Sequence, residues 1–202
     1  MMRENDAFIP YADREALPKK LKDLLTQYES RMGFMPNALK LYMHRPEILS
    51  CLIQLNNTVM RDTSSQLDDG LKRRIAAICS TLNKSAYCIA HNTNTLMGNN
   101  ENGGEGWDYS EEEVRRLLSP DYEPENPIEK AALAYAKAAT IDPTNVPSAI
   151  LASLTETMTP PQIVELACVV GFWGMYNSVH EALSVPIEEP VRDRTAFLDV
   201  NG

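Results

Sequence analysis

The sequence predicts an all-α fold, a compact helical bundle, on three observations. Apolar residues recur at the i, i+3, i+4, i+7 spacing of a helical face. Proline or a capping signal stands where most of these segments begin, and no segment alternates in the manner of a strand. With 202 residues, 44% of them hydrophobic, the chain is long enough for one well-buried domain or at most two small ones. We expect one helical domain over 1–184 and an extended tail over 185–202.

The elements follow in order. Leu21, Leu24, Leu25, Tyr28 and Met32 form one apolar face of a first helix. Pro36 and Asn37 open a short helix reaching Tyr42, and Pro46 opens the next, through Leu49, Leu52, Ile53 and Val59. A helix over 67–82 carries Leu71, Ile75, Ile78, Cys79 and Leu82 on its inner stripe, and another starts near Ser85 and reaches Met97. Residues 98–109, rich in glycine and asparagine, read as a loop with Trp107 as its anchor. Ser110 with Glu113 has the pattern of a capping box, and Asn126 with Glu129 repeats it with proline at the first helical position, ahead of the alanine-rich helix 131–140. Pro147 starts another helix. Thr159 with Gln162 caps the last, over 163–183, which is apolar around most of its circumference and so reads as central or as an interface. In the tail, Phe197 and Leu198 suggest docking, while a frayed terminus is the other reading.

A net charge of −9 without any basic run argues against a nucleic-acid partner. The longest apolar stretch, 163–176, contains Glu165 and is too short for a bilayer core, and the first residues lack an apolar signal region, so a cytoplasmic protein is expected. Cys51, Cys79, Cys88 and Cys168 show no C-x-x-C spacing, and with three histidines no metal and no cofactor are expected.

The most distinctive stretch is NKSAYCIAHN over 83–92. Ser85, Cys88 and His91, three apart, share one helical face. A cysteine in a first helical turn feels the positive end of the helix dipole, which favours the thiolate, and His91 one turn on is placed to exchange a proton. The same spacing also reads as a buried cysteine beside a core histidine. His180, with Tyr176 and Trp173 at helical spacing, reads as one wall of a pocket or as plain core. His44 reads as a helix-junction residue, and Glu188 with Glu189 as a cap or solvated surface.

This segment resembles the carboxymuconolactone decarboxylase-like superfamily, which includes the alkylhydroperoxidase D-like proteins, all-helical and typically oligomeric. GFMPN at 33–37 with HRPEIL at 44–49 is similar to that family's entry segment, and 71–91 to its signature helix pair. AALAYA at 131–136, QIVEL at 162–166 and residues 177–186 resemble the second half of its longer, peroxidase-related members.

In the redox-active branch a glutamate precedes a C-x-x-C by twelve residues, and a histidine follows. The resemblance implies that Cys88 is the attacking cysteine and His91 a proton-relay histidine. Three positions depart. Ser85 stands at the resolving cysteine, Arg73 at the glutamate, and Asn92 where a histidine can stand four residues after Cys88. A dithiol cycle through Ser85 is therefore excluded. A one-cysteine cycle remains, in which Cys88 becomes a sulfenic acid reduced by an external thiol. Arg73 is a cation where the family has a carboxylate, able to lower the thiol pKa or to clamp a substrate carboxylate; the alternative is a solvated or ion-paired side chain. Tyr87, Ser85, Arg73 and Asn92 are the expected pocket residues. Cys51, Cys79 and Cys168 read as small hydrophobes in the core.

Three functions stay open: a single-cysteine alkylhydroperoxidase-like thiol peroxidase, a non-redox decarboxylase, isomerase or lyase acting on a carboxylated or lactone-like molecule, and a non-catalytic oligomeric scaffold. The partners expected are a small-molecule substrate, an external thiol reductant and further copies of the chain.

Overall fold

The computed structural model describes residues 7–98 and 107–199. Among these, ten α-helices and two short 3₁₀ turns make up the regular structure, and no strand is present. In chain order the helices are α1 (Lys19–Met32), α2 (Asn37–Tyr42), α3 (Pro46–Arg61), α4 (Asp69–Leu82), α5 (Ala86–Leu96), α6 (Glu111–Leu118), α7 (Pro127–Ile141), α8 (Ser148–Thr157), α9 (Pro160–Ala182) and α10 (Glu189–Thr195).

Local chemistry accounts for most boundaries. Gly33 ends α1 with φ 78°, a left-handed conformation that only glycine adopts without steric cost. Prolines occupy the first turns of α3, α7 and α9, where a missing N–H has no partner to lose. Asp68 caps α4 by accepting from the Leu71 amide at 2.8 Å. The reciprocal capping boxes form at Ser110 with Glu113 and at Thr159 with Gln162. At α7 the expected box is only half made. Asn126 accepts from the Ile128 and Glu129 amides, but the Glu129 carboxylate turns away to the Arg74 guanidinium at 2.6 Å, tying α7 to α4.

α4 lies at the centre, packed against α5, α7 and α9, and buries Leu71, Ile75, Ile78 and Cys79. Leu82, expected on the same stripe, is exposed at the helix end. α9 is central too, touching α3, α4, α5, α7 and α8. It buries Leu166, Val169, Phe172, Trp173 and His180 while leaving Val164, Cys168, Gly171 and Met175 in one exposed row. No described helix is long and apolar enough to cross a membrane.

The expected loop falls largely on 99–106, outside the described residues. Its anchor does sit on the body: the Trp107 amide donates to the Leu96 carbonyl at 3.2 Å, and its indole lies against Gly70 of α4.

The tail corrects an expectation. It is helical over Glu189–Thr195 where prolines suggested an extended tail, because Pro190 falls in the first turn of α10, the position a helix tolerates. α10 packs on α5, burying Val191 and Thr195, and Arg194 donates to the Met97 carbonyl at 3.0 Å.

Candidate active site

α4 and α5 are joined by a tight reversal at Asn83 and Lys84, the latter at φ 56°. The Ser85 amide donates back to the Ser80 carbonyl at 3.0 Å, so α5 starts directly against the core. That placement buries Ser85, Tyr87, Cys88 and Asn92 together and leaves His91 partly exposed.

Cys88 is 1% exposed, and its Sγ lies 3.0 Å from His180 Nδ1 of α9. The helix-dipole expectation of a thiolate is reversed here. Burial pushes the Cys88 thiol up to about 12; the nearby Ser85 hydroxyl works the other way, and the charge of Glu181 adds to the rise. Burial, reinforced by His91, likewise holds the His180 imidazole down to about 3, against the pull of Glu188. The resting pair is therefore a neutral thiol in contact with a neutral imidazole. Sequence spacing put His91 beside the thiol; tertiary packing puts His180 there, from a helix 92 residues away.

His91 is engaged elsewhere. Its Nε2 lies 2.6 Å from Glu188 Oε2, a carboxylate delivered by the tail just before α10. Glu188, read from the sequence as a cap or solvated surface, stands at the N-cap of α10 and is 8% exposed. Its other oxygen accepts from the Asn37 amide and, at 3.2 Å, from the Tyr87 hydroxyl. Burial alone would raise this carboxyl. The His91 hydrogen bond and charge, with the Asn37 amide, outweigh it and hold the group below the usual carboxylate range. The Tyr87 ring stacks 4.3 Å from His91 and meets His180 edge-on at 5.0 Å, so one aromatic ring separates the two histidines.

Beside Cys88 lies a cavity of about 130 Å³, lined also by Arg73, His91, Asn92, Trp173 and His180. Arg73, 5% exposed, reaches this cavity from α4 while its neighbour Arg74 turns to α7, so neither arginine is solvated. Asn92 donates to Ser80 Oγ at 3.2 Å, and Ser80 donates to Asn177, a buried polar chain behind the thiol. Of the other cysteines only Cys79 is buried; Cys51 and Cys168 are exposed, contrary to the core reading, because each sits on the outer face of its helix. His44 lies between α2 and α3, and its Nε2, 2.7 Å from the Pro10 carbonyl, ties the segment before α1 to that point.

No protein-family model and no curated protein matches the sequence. Solved structures do. An uncharacterised peroxidase-related protein from Ralstonia eutropha JMP134, described as an alkylhydroperoxidase AhpD core, superposes with a TM-score of 0.73 at 16% identity, over 92% of this chain and 94% of its own. The chain has the alkylhydroperoxidase AhpD-like fold. A second neighbour, an uncharacterised peroxidase-related protein from Silicibacter sp. TM1040, gives 0.77 at 22% identity, over 90% and 91% of the two chains. The debrominase Bmp8, as a cysteine-to-alanine variant in complex with 2,3,4-tribromopyrrole, gives 0.76 at 20% identity, over 96% and 100%.

Within this AhpD-like fold, two residues that the sequence reading left out of the candidate site, His180 and Glu188, stand at the centre. His180 had a usable signal, its helical spacing from Trp173 and Tyr176 on an apolar helix. Glu188 had none, because its partner is 97 residues away and nothing local marks it for burial.

Proposed function

We propose that the protein is a single-cysteine thiol peroxidase of the alkylhydroperoxidase type, with Cys88 as the attacking thiol. The observation that carries this reading is the 3.0 Å contact between Cys88 Sγ and His180 Nδ1 at the wall of a cavity. A nucleophile within hydrogen-bond reach of a base is the arrangement thiol attack requires.

In the proposed cycle Cys88 gives its proton to His180, and the sulfur attacks the distal oxygen of a hydroperoxide. The O–O bond breaks, and the leaving alkoxide takes a proton from His180 to become an alcohol. The thiol has become a sulfenic acid. Two equivalents of an external thiol then restore it, releasing a disulfide and water. His91, held by Glu188 at 2.6 Å, serves as the second proton-handling group on the cavity wall. Because resting Cys88 is protonated, the proton moves only as substrate arrives, which suits a thiol protected from idle oxidation.

The open cavity counts against a pure scaffold, whose pocket would be filled by side chains. The non-redox reading keeps the same cavity and draws support from Arg73 in its wall. The debrominase neighbours make 2,3,4-tribromopyrrole a second compound to assay.

The test is hydroperoxide consumption, with cumene hydroperoxide and hydrogen peroxide, under several thiol reductants. Cys88→Ser is expected to abolish turnover, Ser85→Ala to leave it nearly unchanged, and His180→Asn to lower it on the order of 100-fold. Consumption by the wild type no faster than in buffer sinks the proposal.

A further inference from the structure

Three polar atoms around the Cys88 cavity are buried without a hydrogen-bond partner: the Tyr42 hydroxyl, the Trp173 indole N–H and His180 Nε2. All three side chains are more than nine-tenths buried, and all three line the cavity. They lie close together: the Tyr42 and His180 rings are 5.7 Å apart, and Trp173 connects to His180 through Tyr176 at 5.9 and 5.3 Å. Buried polar atoms in native proteins normally have partners, and the Trp173 indole N–H and the Tyr42 hydroxyl are donors, so the opening they share is a place shaped for an acceptor.

The charge of the lining points the same way. Arg61 and Arg73 line the cavity, and no Asp or Glu is among the described residues lining it. Glu188 reaches His91 without joining the lining. A chain of net charge −9 has thus kept its carboxylates out of this one wall. Size and shape add a third constraint. At about 130 Å³ the cavity is close to the roughly 150 Å³ that admits a single benzene ring, and Tyr87, Tyr176 and Trp173 offer flat faces.

We propose that the cavity binds a small molecule made of one flat ring bearing a carboxylate or similar anionic oxygen, held by Tyr42, Trp173 and His180 with the ring lying towards Cys88. This rests on the reading that the Cys88 cavity is the substrate site, and it narrows the substrate from hydroperoxides in general to hydroperoxides carried on a compact aromatic ring with an anionic oxygen. Partly exposed Tyr28, Met32 and Arg61 also line the cavity and form its approach.

The test is equilibrium binding, by calorimetry and thermal shift, to wild-type protein and to Cys88→Ser, so that its outcome is independent of turnover. Benzoate is the probe, with benzamide as its uncharged relative and octanoate as an acid without a ring. Benzoate is expected to bind both proteins and to raise Tm at millimolar concentration, and each control to bind at least about 10-fold more weakly, a difference of about 1.4 kcal/mol. Tyr42→Phe and Trp173→Phe are each expected to weaken benzoate on the order of 5-fold or more. Tyr42→Phe should leave the Tm of the free protein unchanged or higher, because it removes a donor with no partner. Absence of benzoate binding overturns the proposal. So does equal binding of octanoate or benzamide, or a Tyr42→Phe variant that loses stability while binding benzoate as before. Benzoate binding without peroxide turnover leaves this inference standing and removes only the peroxidase reading.

Discussion

His180 carries the clearest consequence at the scale of single residues. In the unfolded chain its imidazole takes a proton near 6.5, whereas in the fold burial, aided by His91, holds it down to about 3. Between those values the unfolded state binds more protons, so stability falls as pH is lowered through that window, by up to about 1.4 kcal/mol per pH unit. Glu188 adds a second loss, but its depressed carboxyl places that loss below the ordinary carboxylate range. The two are separable. Urea denaturation between about pH 4.5 and 6.5 should show a slope in the wild type that is reduced in His180→Asn. An identical slope in the variant would mean that His180 is not held neutral. The same residue scale shows why local rules misled: the helix dipole at Cys88 is real, but its effect of about 1 kcal/mol is smaller than the cost of placing a thiolate in a site 1% exposed.

Between elements, the informative case is α4 against α7. Both Arg74 and Glu129 have side chains 16% exposed, and they meet at 2.6 Å. Glu129 therefore serves the contact between helices rather than its own helix start, which Asn126 caps alone. A double-mutant cycle on Arg74→Met and Glu129→Gln should return a coupling of about 1 kcal/mol or more, above the usual value for exposed pairs. If the two losses simply add, the pair contributes nothing and the capping-box assignment returns. α10 makes the complementary point. Its seven residues are too few for a stable isolated helix, so its existence depends on packing against α5.

For the molecule as a whole, part of the exposed apolar surface falls in rows on α9 and α3. Val164, 63% exposed, shares one face of α9 with Cys168, Gly171 and Met175, and Ile48, Cys51 and Leu55 form a similar row on α3. Such faces mark interaction surfaces, and the proposed partner is a second copy of the chain. Light scattering at micromolar concentration should give a mass above the 22.6 kDa of one chain. The pair Val164→Lys and Met175→Lys should lower it towards one chain while preserving the helical circular dichroism. A wild type that runs as a single chain would end the homo-oligomer expectation.

The helical class, most helix starts and the position of Cys88 on α5 were legible in the chain itself. Periodicity, proline placement and capping pairs such as Ser110 with Glu113 act over a few residues, within the reach of local reading. The partners at the site were not legible. That His180 rather than His91 meets the thiol, that Glu188 is buried against His91, and that Arg73 faces a cavity instead of solvent depend on how α4, α5, α9 and the tail pack. Packing is decided by the burial of apolar surface across the whole bundle, and it brings together residues more than 90 positions apart that no local pattern relates. The same packing removes water from around the thiol, and it turned the expected thiolate into a thiol.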